Sequence, residues 1–355
     1  MDLPSPPPAA SARRRRRFLL AAGGVLLALL VVEALLAREA DAARERLVRD
    51  SGPFHFFTFR TADGRILSKH RGPFELVLDP VLDYRNQPGQ RGPGYSINSR
   101  GYRGAELRPR ETGVPRIVLL GGSAAFGFGI ASDEDTLAAR LGRELAPAEV
   151  VNAAVIGYVS GQELALLRSE ALDLDPQVVI AFDGWNDFRT GVLRPDGTLA
   201  TVLFAQVEDL ASEAALARRD FAFAFRVAFS HVFRQIRTRV RQALSPVPEP
   251  YAPGFPTEAE VEGRLAPYLR NVLAMQAACR AKGCRFLLVV QSERKADPPY
   301  RAFAARATSA LLEAGGEAID AGTLEELSPA HYLDDVHLTA EGNAAVAKTI
   351  ARRLR

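Results

Sequence analysis

Only two cysteines and five histidines occur in the 355 residues, so the chain has little with which to hold a structural metal or to staple a small fold. None of them falls at zinc-ligand spacing, no glycine loop has a phosphate-binding pattern, and no internal repeat marks a solenoid or a propeller. Surplus charge is also missing. The formal net charge is +3, and the run Arg13 to Arg17 supplies five positives by itself, so the remainder is slightly acidic and carries no argument for nucleic-acid binding. Long apolar runs are absent except for one near the amino end. What is left is an ordinary globular composition, 47% hydrophobic and 25% charged, in a chain long enough for one good core plus added segments.

The single apolar run is a topology signal. Phe18 to Ala37 is interrupted only by Glu33 and is long enough as a helix to cross about 30 Å of hydrocarbon. Residues 1–17 read as a basic cytoplasmic tail, because arginines on the amino side hold that flank inside and put everything after residue 37 outside. An uncleaved signal-anchor is the favoured reading. Arg15-Arg16-Arg17-Phe18-Leu19 also resembles a twin-arginine export signal with Ala40-Asp41-Ala42 as a cleavage site, and that alternative gives the same periplasmic compartment.

Beyond residue 113, apolar segments alternate with helical periodicity, as in a parallel sheet covered on both faces. Strands are expected at Arg116 to Leu120, Val150 to Ala153, Val178 to Phe182, Arg285 to Gln291 and Glu317 to Asp320. Helices are expected at Thr136 to Leu145, Gln162 to Leu172 and from Thr339 to Leu354. Three polar motifs fall at the carboxyl ends of the first three strands, where such sheets place their functional loops. They are Gly121-Gly122-Ser123, Asn152-Ala153-Ala154-Val155-Ile156-Gly157 and Gly184-Trp185-Asn186-Asp187. Near the far end Asp334 stands three residues before His337, which completes the residue types of a serine nucleophile, a general base and an orienting carboxylate.

In this order the motifs resemble those of the SGNH (GDSL-type) hydrolase superfamily, from about Val114 to Arg355. The resemblance implies a flavodoxin-like three-layer α/β/α sandwich with a five-stranded parallel sheet. It implies Ser123 as nucleophile, His337 as base and Asp334 as its partner. The oxyanion hole would comprise the Ser123 and Gly157 backbone N–H groups and the Asn186 side chain. No metal or organic cofactor is needed for such chemistry. The chain departs from the family pattern at Gly122, where aspartate is common, and at Ala154, where glycine is usual. Asp335 is the nearest rival to Asp334, and both Asp335 and Asp187 are expected in turn or cap bonds.

The expected activity is hydrolysis of carboxylic (O-acyl or O-acetyl) esters through an acyl-enzyme, the substrate being a lipid, a glycan or a small ester. The same site could pass the acyl group to a sugar hydroxyl as an O-acyltransferase, and a non-catalytic glycan-binding scaffold is the third reading. Residues 38–113 read as a charged helical stalk followed by a β-rich, membrane-proximal extension that ends in Asn98-Ser99-Arg100-Gly101-Tyr102-Arg103-Gly104. A helical insertion is expected over 191–262. Within it, Phe221 to Leu244 has one apolar face and many arginines, suited to packing on the domain, to an anionic lipid surface or to a lid. Cys279 and Cys284 flank a helix-to-strand turn, and a disulfide and two buried thiols both fit that position.

Overall fold

The structure, a computed structural model, describes residues 9–51, 57–61, 63–64, 66, 73–110, 113–190, 192–193, 199–200, 258–295 and 297–355. The expected helix from Phe221 to Leu244, together with His55, His70 and His231, lies outside the described residues.

Helix α1 spans Ala9–Ser51, so the apolar run and the charged stalk form one uninterrupted helix. Gly23 and Gly24 lower helix propensity within it, yet both are accommodated. Its segment Arg14–Leu36, 23 residues, is long and apolar enough to cross a membrane.

The body that follows opens with a small sheet of β1 (Phe57–Arg60), β2 (Phe74–Asp79) and β3 (Asp83–Asn86), in which β1 runs parallel to β2 and β3 runs antiparallel to it. After β1 the chain turns at Asp63 and Gly64, where the Gly64 N–H donates to the Thr61 carbonyl at 2.8 Å. A short hairpin pairs β4 (Arg91–Gly92) with β5 (Tyr95–Ser96). Aromatic side chains fasten this extension to the main domain. Phe74 meets Phe126 edge-on at 5.4 Å, and the Tyr84 ring meets Tyr158 at 5.5 Å. The Asn98 to Gly104 motif docks on the same domain. The Tyr102 hydroxyl donates to Glu170 at 3.2 Å, and the Arg103 backbone N–H donates to the Asn152 carbonyl at 3.0 Å.

The central sheet is wholly parallel. It contains β6 (Arg116–Gly121), β7 (Glu149–Asn152), β8 (Val178–Asp183), β11 (Arg285–Val290) and β12 (Glu317–Asp320), in the spatial order β12-β11-β8-β6-β7. Every residue of β6 and β8 is buried, which is why both read as unbroken apolar runs rather than alternating ones. The expected strands are all present, with ends shifted by one residue at most. A separate two-stranded pair, β9 (Val192–Leu193) with β10 (Leu199–Ala200), follows β8.

The helices are α2 (Ser123–Phe126), α3 (Leu137–Glu144), α4 (Ser160–Ser169), α5 (Trp185–Arg189), α6 (Glu258–Lys282), α7 (Pro298–Glu313) and α8 (Ala340–Leu354). The crossovers group α3 with α8 and α4 with α6 and α7 on the two faces of the sheet, the three-layer arrangement expected. Thr136 caps α3 by accepting the Ala139 N–H at 3.3 Å, and Thr339 caps α8 by accepting the Gly342 N–H at 3.2 Å. Helix α6 starts at Glu258, inside the stretch expected to be insertion, because Val261 and Leu265 already bury their side chains in the core. Cys279 and Cys284 are buried free thiols at the turn from α6 to β11, with the Cys284 Sγ 3.4 Å from the Cys279 carbonyl. Burial pushes the Cys279 thiol pKa up, and the neighbouring Cys284 adds to the shift.

Candidate active site

Strand β6 lies between β7 and β8, and the chain leaves β6 and β7 toward opposite faces of the sheet. A crevice therefore opens at the carboxyl end of β6. Gly121 and Gly122 make the exit possible. Gly121 has φ +148°, and a Cβ there would stand 2.4 Å from the Phe182 carbonyl oxygen. A Cβ on Gly122 would stand 2.4 Å from Nδ2 of Asn186. The space a side chain at residue 122 would need is thus taken by the Asn186 amide.

Ser123 begins α2, and its Oγ lies 2.8 Å from Nε2 of His337. The other ring nitrogen, Nδ1, lies 2.6 Å from Oδ2 of Asp334. Asp334 also accepts, on Oδ1, the backbone N–H groups of Val336 and His337, each at 2.9 Å. Burial works against charge on this carboxyl. The hydrogen bond and charge of His337 and the two backbone donors outweigh it, and hold the pKa well below the usual carboxylate range. Asp335 turns elsewhere, to Arg294, with 3.3 Å between Oδ1 and the guanidinium. Between the two neighbouring aspartates, the geometry pairs His337 with Asp334.

The remaining sequence-predicted groups converge from neighbouring strands. Asn186 donates from Nδ2 to the Tyr158 carbonyl at 2.8 Å, which leaves the second hydrogen of the amide available. Gly157 has φ +81°, and among the described residues neither its N–H nor that of Ser123 has an acceptor. Asn152 is buried at the end of β7 and donates to the carbonyls of Ala125 and Phe126 at 3.3 and 3.2 Å, tying down the turn that carries Ser123. Ala154 is fully buried, and its carbonyl accepts from Asn86.

Two contributors, Phe128 and Tyr158, were not singled out from sequence, nor was the joint burial of a group of acids. Phe128 stacks on the His337 imidazole with centroids 4.4 Å apart and planes at 28°. Tyr158 positions Asn186 through its main chain, and a lone carbonyl leaves no sequence signal. Behind Asn186 sits a group of buried acids: Asp187, Asp183 and Glu163. Asp187 accepts the backbone N–H of Ser160 at 3.0 Å and its hydroxyl at 2.6 Å, so it caps α4 as a cap bond was expected to do. Burial, reinforced by the charge of Asp183, pushes the Asp187 carboxyl up to about 7, against the opposing Ser160 bonds. Burial likewise raises Asp183 and, with help from Asp183, Glu163. Their acid character was visible in sequence, but their joint burial depends on three separate elements meeting.

Among the described residues no cluster of His, Cys, Asp and Glu could hold a metal ion. The site offers a serine hydroxyl, an imidazole bonded to a carboxylate, and hydrogen-bond donors at Ser123, Gly157 and Asn186.

Residues 119–345 match the model of the GDSL-like lipase/acylhydrolase family. No curated protein matches the chain. Among solved structures, the chain is similar to a lipase/acylhydrolase from Enterococcus faecalis, at 16% identity over 68% of this chain and 95% of that one, with a TM-score of 0.40. A GDSL-like lipase from Bacteroides thetaiotaomicron is 12% identical over 70% of this chain and 93% of that one, with a TM-score of 0.39. A catalytic mutant of an acetylxylan esterase from Geobacillus stearothermophilus is 14% identical over 68% and 94%, with a TM-score of 0.40.

Proposed function

Since the chain belongs to the GDSL-like lipase/acylhydrolase family and is a carboxylic ester hydrolase, we propose that it cleaves O-acyl esters with Ser123 as nucleophile, His337 as general base and Asp334 as the carboxylate that orients the base. The observation that carries this reading is the unbroken chain of hydrogen bonds from Ser123 Oγ through both nitrogens of His337 to Asp334. An ionised Asp334 accepts the hydrogen bond of the N–H at Nδ1 and so holds the proton there, which leaves Nε2 as the acceptor for the serine hydroxyl.

In this mechanism Ser123 Oγ attacks the ester carbonyl as its proton passes to Nε2 of His337. Negative charge moves to the carbonyl oxygen. The N–H groups of Ser123 and Gly157 and the free amide hydrogen of Asn186 receive it, and being fixed beforehand they need no reorganisation during the step. Collapse of the tetrahedral intermediate breaks the bond to the alcohol, which leaves with the proton held on Nε2. The acyl group remains on Ser123. Water then gives its proton to His337 and attacks the acyl-enzyme, and a second collapse releases the acid and returns the proton to Ser123.

The topology belongs to the same proposal. Residues 18–37 anchor the chain with Arg13 to Arg17 in the cytoplasm, residues 38–113 form stalk and extension, and the hydrolase domain over 114–355 works outside the cytoplasm. The test is labelling of the full-length protein by a serine-directed fluorophosphonate, with the modified peptide identified. Label on Ser123, together with hydrolysis of a panel of acyl esters that is abolished in Ser123→Ala, is the expected result. Labelling elsewhere, or hydrolysis unaffected by Ser123→Ala, would refute it.

A further inference from the structure

The Asn98 to Gly104 motif lies upstream of every residue of the proposed mechanism, yet its Arg103 side chain ends inside the turn that carries Ser123. That guanidinium is buried, 5% exposed as a residue, and each of its nitrogens is engaged. Nη1 donates to the carbonyls of Gly127 at 2.7 Å and Phe126 at 3.3 Å. Nη2 donates to the carbonyls of Ile130 at 3.2 Å and Gly94 at 3.3 Å, and Nε donates to Asp133 at 2.8 Å. The Phe126 ring lies 4.9 Å from the guanidinium carbon. Asp133 is itself held, accepting the backbone N–H and hydroxyl of Ser96 at 2.8 and 2.7 Å. Gly127 makes room for this, since a Cβ there would stand 3.1 Å from Nη1.

Burying a guanidinium is costly unless its donors are satisfied, and here all are, by main-chain carbonyls at and just beyond the end of α2, by the Gly94 carbonyl and by Asp133. The segment they fasten, 126–130, carries Phe128, whose backbone N–H returns to the Ser123 carbonyl at 2.9 Å and whose ring stacks on His337. The two hydrogen bonds of His337 lie in the plane of the imidazole and resist sliding of the ring, but they resist tilting out of that plane poorly. A ring packed on one face does resist tilting.

We propose that Arg103 is a positioning residue of the ester-cleaving site, fastening residues 126–130 so that Phe128 holds the His337 imidazole in line with Ser123. This rests on the assignment of Ser123 and His337 made above. Lysine cannot replace Arg103, because a single ammonium cannot address four carbonyls and a carboxylate spread around a plane. The extension upstream of the hydrolase domain is therefore part of what makes the site work.

The test uses full-length protein in detergent micelles. Competent sites are counted by fluorophosphonate titration, and turnover per titrated site is measured on 4-nitrophenyl acetate for Arg103→Lys, Phe128→Leu, Phe128→Tyr and the double variant Arg103→Lys with Phe128→Leu. A displacement of about an ångström at the reacting groups costs on the order of 10²-fold, so Arg103→Lys should lower kcat per titrated site by about that factor with KM little changed. Phe128→Leu should lower it in the same sense, and Phe128→Tyr, which keeps the ring, should recover most of that loss. If Arg103 acts through Phe128, the double variant falls no further than Arg103→Lys alone. A fall only in the number of titrated sites, with wild-type turnover at each, would make Arg103 merely structural and overturn the proposal. Should Arg103→Lys fail to fold, Phe128→Leu decides, and wild-type turnover in that variant overturns it as well. Wild-type protein that does not label at Ser123 sinks the assignment beneath both, an outcome separable from the others.

Discussion

Replacing Asp187 with asparagine tests the buried acids behind Asn186. The carboxyl is fully enclosed and bonded to the N–H and hydroxyl of Ser160, with its backbone and that of Phe188 accepting from Arg264. An exposed aspartate ionises near 3.8, whereas burial and the Asp183 charge keep this one protonated up to about 7. The folded state therefore binds the extra proton. That contribution to stability is complete below about pH 4 and is lost as pH rises through about 7. Each pKa unit is worth about 1.4 kcal/mol, so the whole cost of ionising Asp187 in place is on the order of 4 kcal/mol. The asparagine in Asp187→Asn can still accept from Ser160 through its amide oxygen, but it brings an N–H₂ group with no assured acceptor. At low pH the variant should be no more stable than wild type. Between about pH 5 and pH 8 the difference should move in its favour by about 3 kcal/mol, because only wild type must ionise this group. For a domain of this size that corresponds to roughly 6 to 12 °C in Tm. Thermal unfolding of full-length protein in micelles across that pH range is the assay. Since Asp183 and Glu163 titrate in both proteins, the informative quantity is the difference between the two Tm curves. Parallel curves would mean that Asp187 is already ionised in the folded state, and the account of the cluster would be wrong.

Asp334→Asn should upset the His337 tautomer and cost up to about 10⁴ in kcat, as in other triads, whereas Asp335→Asn, which only loosens a surface pair with Arg294, should cost little; a reversal would exchange their roles. Asn186→Ala removes one donor of the proposed oxyanion hole and should lower kcat by about 10² to 10³. An unchanged kcat with raised KM would make Asn186 a ground-state contact instead. Gly122→Ala places a Cβ 2.4 Å from the present position of the Asn186 amide, so it should lower kcat in the same direction as Asn186→Ala, and the two losses should not add, because both act through one donor; full additivity would place the effect of Gly122 elsewhere. Protease added to the outer side of sealed membranes should digest the hydrolase domain and spare an N-terminal tag, and digestion of the tag would reverse the proposed topology.

The parts of this fold that were legible in sequence are those in which the physics is local. Strands β6, β8 and β11 are buried on both faces and so announce themselves as apolar runs. Thr136 and Thr339 sit where a hydroxyl can accept from a first-turn N–H. Ser123, Asn186 and His337 could be singled out as candidates because each follows a strand end or stands within three residues of its partner. Arg103, Phe128 and the Asp183–Asp187–Glu163 group were not legible, since their meaning lies in contacts across tens of residues and in carbonyls that any sequence supplies.

Position 122 joins the two kinds of information. Read alone, a glycine in place of a common aspartate looks like a lost side chain, with consequences for the substrate. In the structure the vacant Cβ position is where the Asn186 amide approaches, and that amide is steered there by the Tyr158 carbonyl. Tyr158 in turn is gripped by the extension, for its hydroxyl donates to the Tyr84 carbonyl, while the Tyr84 hydroxyl donates to the Ile156 carbonyl at 2.9 Å. In the mechanism proposed above, Tyr84 thus bears on the oxyanion side of the site as Arg103 is proposed to bear on the nucleophile side. Two independent tethers from one small upstream segment imply that the hydrolase domain does not carry all of its own positioning. The vacant Cβ position at residue 122 is therefore joined to the extension through the Asn186 amide, the Tyr158 carbonyl and the contacts between Tyr158 and Tyr84.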